Sequence, residues 1–184
     1  MRTVVGGLLA VLITACSPLP AAPTQVKPPH SGPITADQPG NPGTVVPPPA
    51  PRPAAEGPCR YLPAAAVQIA NGQRVAAVRI SETGPDQPYP ACFFLAGNGT
   101  VQLRTWVVVA TPAVARATVD AAAPVATSDL AELPGGWSGG SRPTAEGAVF
   151  AVSRGGTAVV ITTNQHQTIS ARRVADQVIA ALGL

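Results

Sequence analysis

Proline placement constrains this chain more than any other feature. Of its 22 prolines, 14 fall within the 42 residues from Ser17 to Pro58. Each lacks a backbone N–H and fixes φ, so such a run supports neither a helix interior nor a central strand. The stretch carries only Lys27, Asp37, Arg52 and Glu56 as charges and has no aromatic residue. It cannot bury enough apolar surface to offset the entropy of ordering it. All seven aromatics lie beyond Pro58. The 184 residues therefore divide into a leader over 1–15, a Pro-rich linker over 16–58 that begins at a cysteine, and one folded domain over 59–184.

The leader has one positive residue, Arg2, and an apolar run from Val4 to Ile13. That run is short of the roughly 20 residues a bilayer-spanning helix needs, and it reads as an export signal. Ile13-Thr14-Ala15-Cys16 matches the bacterial lipobox. The expectation is cleavage before Cys16 and diacylation of its thiol. Two acyl chains, each contributing about 0.8 kcal/mol per buried methylene, anchor stably. The expected location is extracytoplasmic, tethered to the cell membrane. The linker then serves as a stalk, extended at about 3.1 Å per residue where it is polyproline II.

With Cys16 assigned to lipid, Cys59 and Cys92 remain. An even pair in an exported domain predicts a disulfide. A metal site would need more ligands, and His166 is the only histidine after Cys59. No metal and no cofactor is expected.

Local signals give the folded part the order αβββαββα. Pro63 opens a helix that Asn71-Gly72 ends, and Thr111-Pro112 caps and starts a second. A third helix starts with Thr168 or Ser170 as its cap and shows apolar residues at Val174, Val178 and Leu182. Asn98-Gly99 and Arg154-Gly155-Gly156 mark two hairpins. Residues 127–144, rich in Gly and Pro, read as an irregular connection. The predicted strands are apolar on both sides, which calls for cover on both sides. The expected fold is α+β: a largely antiparallel five-stranded sheet with helices on both faces.

Gly136-Trp137-Ser138-Gly139-Gly140 fits the G-x-S-x-G nucleophile elbow, with Glu146 and His166 following in the order serine, acid, histidine. The context argues against a hydrolase, because no buried strand precedes Ser138 and Pro143 follows too closely for a helix. No zinc-binding helix, P-loop or dinucleotide fingerprint is present. Net charge is only +3, and Arg172-Arg173 is the one basic doublet. Basic stripes with interleaved aromatics are absent, which argues against nucleic acid. The candidate ligand or partner surface is Trp137 and Ser138 together with Asn164, Gln165 and His166. No residue is assigned as catalytic.

Several segments carry a family resemblance. They include Cys59 to Leu62, Asn71-Gly72-Gln73-Arg74-Val75, Pro90-Ala91-Cys92-Phe93-Phe94 and Gly136 to Gly140. Gly147 to Val152 and the closing stretch from Thr163 to Leu184 belong with them. Together they resemble an actinobacterial envelope lipoprotein domain family of unknown function, from mycobacteria and corynebacteria. The element order is also similar to small α/β/α sandwiches of the PsbP kind, which are binding modules. The resemblance implies address and domain extent. The resulting expectation is a non-catalytic domain that binds an envelope protein or a small ligand. Its rivals are a structural role in envelope assembly and a small hydrolase using Ser138.

Overall fold

The computed structural model describes residues 45–84 and 87–184. The leader, the lipidation candidate Cys16 and the linker as far as Thr44 lie outside the described residues.

Eight strands form one sheet, in the order β1-β2-β3-β4-β8-β7-β6-β5 with every neighbour antiparallel. The strands are β1 (Ala55–Glu56), β2 (Ala77–Ile80), β3 (Cys92–Leu95) and β4 (Val101–Val109). After them come β5 (Asp129–Leu133), β6 (Trp137–Thr144), β7 (Gly147–Arg154) and β8 (Thr157–Thr163). The helices are α1 (Ala64–Asn71), α2 (Pro112–Ala122) and α3 (Thr168–Leu182).

The expectation of five strands and the order αβββαββα is therefore corrected. The three additional strands are β1, β5 and β6. Composition hid β5 and β6, because their hairpin carries four glycines and Pro143 inside the stretch that reads as an irregular connection. Gly135 and Gly136, both at φ 85, make the reversal. Pro143 is tolerated because pairing of β6 with β5 stops at Ser141, so only β7 borders it. β1 lies within the stretch assigned to the linker. Ala54 and Gly57 also donate backbone hydrogen bonds to Ile80 and Val78, so this end of the Pro-rich stretch belongs to the folded unit. Pro48, Pro49 and Pro51 line a cavity of about 610 Å³ with Tyr89 and Trp106.

The helix signals operate locally. The Thr111 side chain accepts from the N–H of Val114 at 3.4 Å, and Pro112 occupies the first turn. Gly72 at φ 67 and Gly183 at φ 65 end α1 and α3. Gln167, rather than Thr168 or Ser170, stands at the α3 cap position, and no side chain caps there.

Two apolar layers hold the helices. On one face α1 and α3 bury Val67, Val174 and Val178 against Phe94, Leu103, Phe150, Val159 and Ile161. On the other, α2 lays Ala115 and Val119 on Val108, Ala151, Ala158 and Val160. The second layer is built of small side chains, which brings α2 close to the strands. The disulfide between Cys59 and Cys92 spans Cα atoms 5.7 Å apart, inside the range a bridge requires. It fastens the segment before α1 to β3. Among the described residues, no helix is long and apolar enough to cross a membrane.

Candidate anion-binding face

Strand register assembles a row that no linear motif announces. Arg79 pairs with Phe93, Phe93 with Arg104, Arg104 with Thr162, Thr162 with Val149, and Val149 with Arg142. Six residues from six strands thus stand side by side on the α2 side of the sheet. The adjacent row, Trp106, Val160, Ala151 and Gly140, is the one the end of α2 reaches. A Cβ built on Gly140 would stand 3.0 Å from the Cβ of Ala123, the residue after the helix. Pro124 ends the helix there, and the chain enters β5 at Asp129. The arginine row is left open, and a groove of about 390 Å³ lies over Phe93, Arg104, Val149 and Thr162.

Three arginines share this row at backbone spacings of about 10 Å and 14 Å, from a strand separation of about 4.8 Å. Arg104 donates from Nε to Thr162 Oγ1 at 3.1 Å, which uses one of its five donors. Burial lowers its pKa from the ordinary value, with no carboxylate contributing. The Nε atoms of Arg79 and Arg142 are buried without a hydrogen-bond partner. A desolvated donor without an acceptor costs free energy that a bound anion recovers. Two carboxylates approach the row: Glu56, exposed and paired in register with Arg79, and Glu146, which lines the groove. Phe93 belongs to neither helix-covered layer, yet it is only 3% exposed. Its cross-strand neighbours are Arg79 and Arg104, whose long aliphatic stems are suited to covering an aromatic ring.

The residues singled out from sequence do not form one surface. Trp137 is 1% exposed and belongs to the α1/α3 layer. Arg154 caps it, with Cζ 5.0 Å from the ring. Ser138 is exposed on the opposite side, beside Gly139, Ser153 and the α2 residues Arg116 and Asp120. Ser138 pairs with Ser153, whereas Thr144 pairs with Gly147 and Ala148 with Thr163. Glu146 and His166 therefore lie at the other end of the sheet, about 20 Å from Ser138 by strand rise. The serine, acid and histidine of the elbow pattern are not brought together. Its glycines serve packing instead. A Cβ on Gly139 would meet the Ala151 carbonyl oxygen at 2.1 Å and Val119 at 2.8 Å.

Asn164 and Gln165 join a polar clamp at the end of β8. Asn71 donates to Gln102 Oε1 and to Asn164 Oδ1, both at 3.1 Å, and accepts from the Thr163 hydroxyl. Asn164 donates to Gln73 at 3.0 Å, and Gln102 donates to the Arg74 carbonyl at 2.8 Å. Gln102 is fully buried, so its amide needs each of these partners. The Asn71 to Arg74 segment and the Asn164-Gln165 run thus fix the end of α1 to β4 and β8. Asn164 also borders the groove, while His166 is exposed beyond it. Among the described residues, no three His, Cys, Asp or Glu side chains converge on a metal position.

The arginine row was missed because it depends on register. Its sequence signal is faint: Arg79 between Val78 and Ile80, and Arg104 between Leu103 and Thr105, each interrupt an apolar strand. Alternation puts both opposite the α1/α3 layer.

A domain that starts upstream of Cys59 and ends at the C-terminus also has a match among family models. The chain belongs to the DUF2020 family. The match covers residues 43–184, and the family is described as a domain of unknown function. The DUF2020 domain thus includes the Pro-rich segment over 45–58, which moves its start upstream of the boundary read at Cys59. No curated protein matches the chain.

Proposed function

We propose that the protein is a non-catalytic binding domain, held outside the cytoplasm by lipid on Cys16, that captures an anionic ligand on its open sheet face. The observation carrying this reading is the row of Arg79, Arg104 and Arg142 beside the edge of α2, with two buried Nε donors unpartnered. The lipobox and the resemblance to actinobacterial envelope lipoproteins support the address. The family match supplies the domain and is silent on the ligand.

Retention of the full chain on a phosphate-bearing resin tests the surface. R79Q/R104Q/R142Q is expected to elute at clearly lower salt than wild type, while R116Q/R172Q/R173Q, which removes equal charge from α2 and α3, elutes near wild type. Equal losses in the two triple variants would reduce the effect to net charge and end the proposal. Mass spectrometry of the native protein tests the anchor: an unmodified Cys16 would end that part.

A further inference from the structure

The groove beside Arg104 has a polarity of its own. Its floor is apolar, formed by Phe93 and Val149, and Val101, 44% exposed, stands at its edge. Arg104 supplies the one positive charge among the groove-lining residues, and Thr162 holds its Nε. Glu146 also lines it, three residues along the chain from Val149, which pairs with Thr162 beside Arg104. A ligand with negative charge along its whole length would meet Glu146. One with a single anionic end and an uncharged body would not. The volume of about 390 Å³ lies within the range of small-molecule sites.

Resting on the anion-binding reading above, we infer that this groove holds a singly charged amphiphile of the fatty-acid type. Its carboxylate engages the free terminal N–H donors of Arg104, and its alkyl body lies on Phe93, Val149 and Val101. The guanidinium fork suits a planar carboxylate with two parallel hydrogen bonds. Thr162 fixes the fork from the Nε side, so less freedom is lost when the head docks. Burial already disfavours the bare guanidinium, which makes a counter-charge worth more here than at an exposed arginine. Arg79 and Arg142 stand two and three strands away, too far to share one carboxylate with Arg104.

Calorimetric titration of the full chain separates the possibilities, using decanoate below its aggregation concentration, decanol, acetate and polyphosphate. The expected result is one saturable decanoate site at least tenfold tighter than acetate or decanol. R104Q is expected to weaken decanoate at least tenfold, whereas R172Q/R173Q, which removes two exposed charges from α3, keeps it within about twofold. V101E, an exposed change at the groove edge, weakens decanoate without touching the core, and E146Q leaves it equal or tighter. Thermal midpoints near wild type certify that each variant is folded, and V101E and E146Q carry the test if R104Q is not. Polyphosphate binding that depends on Arg79 and Arg142, with decanoate no tighter than acetate, overturns this inference and leaves the anion-binding reading standing. No binding by any of the anions overturns both.

Discussion

Replacing Gly139 with alanine asks whether the G-x-S-x-G segment exists for packing or for chemistry. The added methyl would stand 2.1 Å from the Ala151 carbonyl oxygen and 2.9 Å from the Val152 Cα, both backbone atoms of β7. An ordinary carbon–oxygen contact is about 3.3 Å or more. Relief therefore needs a shift of over about 1 Å between β6 and β7. Gly139 pairs with Ala131 on one side and Val152 on the other, so β6 cannot move as a free edge. Overpacking of this kind costs about 1–3 kcal/mol and more when backbone must give, so G139A is expected to lose about 3 kcal/mol. G140A meets Ala123 and Ser128 at 3.0 Å at the yielding end of α2, and about 1–2 kcal/mol is expected. S138A, at an exposed site, is expected to fall within about 0.5 kcal/mol of wild type. Urea unfolding followed by far-UV circular dichroism, with the m value held constant, gives all three. Adding V119A to G139A should recover under about 1 kcal/mol, because the Ala151 oxygen remains in the way. G139A as stable as wild type, or S138A costing more than G140A, would refute the packing argument.

Other outcomes are measurable in the same material. Removing the disulfide as C59A/C92A is expected to cost about 3–4 kcal/mol by loop-closure entropy over the 33-residue separation, read as a lower denaturant midpoint. Burial raises the Tyr61 pKa to about 12, opposed by the hydrogen bond from Thr105. Between pH 10 and 12 the unfolded chain has released that proton and the folded one has not. Stability is then constant below pH 10 and falls by about 2–3 kcal/mol as pH rises to 12. Y61F should remove that decline, and an equally steep decline in Y61F would refute the assignment. N71L takes the donor from Gln102 Oε1 and the acceptor from Thr163, and stranding two buried groups should cost about 2–5 kcal/mol in urea titration.

What could be read in advance was local chemistry. Thr111-Pro112 and the glycines after α1 and α3 specify helix ends within a few residues. Asn98-Gly99 and Arg154-Gly155-Gly156 specify two reversals. The Cys59–Cys92 bridge followed from parity and export. What was missed depends on neighbours far along the chain. β6 looks like a loop because Gly139 and Gly140 have shed their side chains to admit β7 and α2. The Ala55–Glu56 strand looks like linker because its partner is supplied by β2. Trp137 stands among the candidate surface residues by sequence, yet the strand that carries it turns the ring into the core. The arginine row is legible only once six registers are known.

The strand order also says how the domain is put together in time. Strands β1 to β4 and β5 to β8 are two meanders, each made by pairing neighbours in sequence. They meet only where β4 lies against β8, from Leu103 with Thr163 to Val109 with Thr157. Closing hairpins is fast, and joining distant segments is slow, so the β4–β8 seam is expected to be the slow step of folding. The Cys59–Cys92 crosslink lies wholly within the first meander. The crosslink therefore needs only N-terminal pairings and does not depend on closure of the seam. The arginine row crosses that seam, between Arg104 and Thr162, so it is complete only once the two meanders are joined.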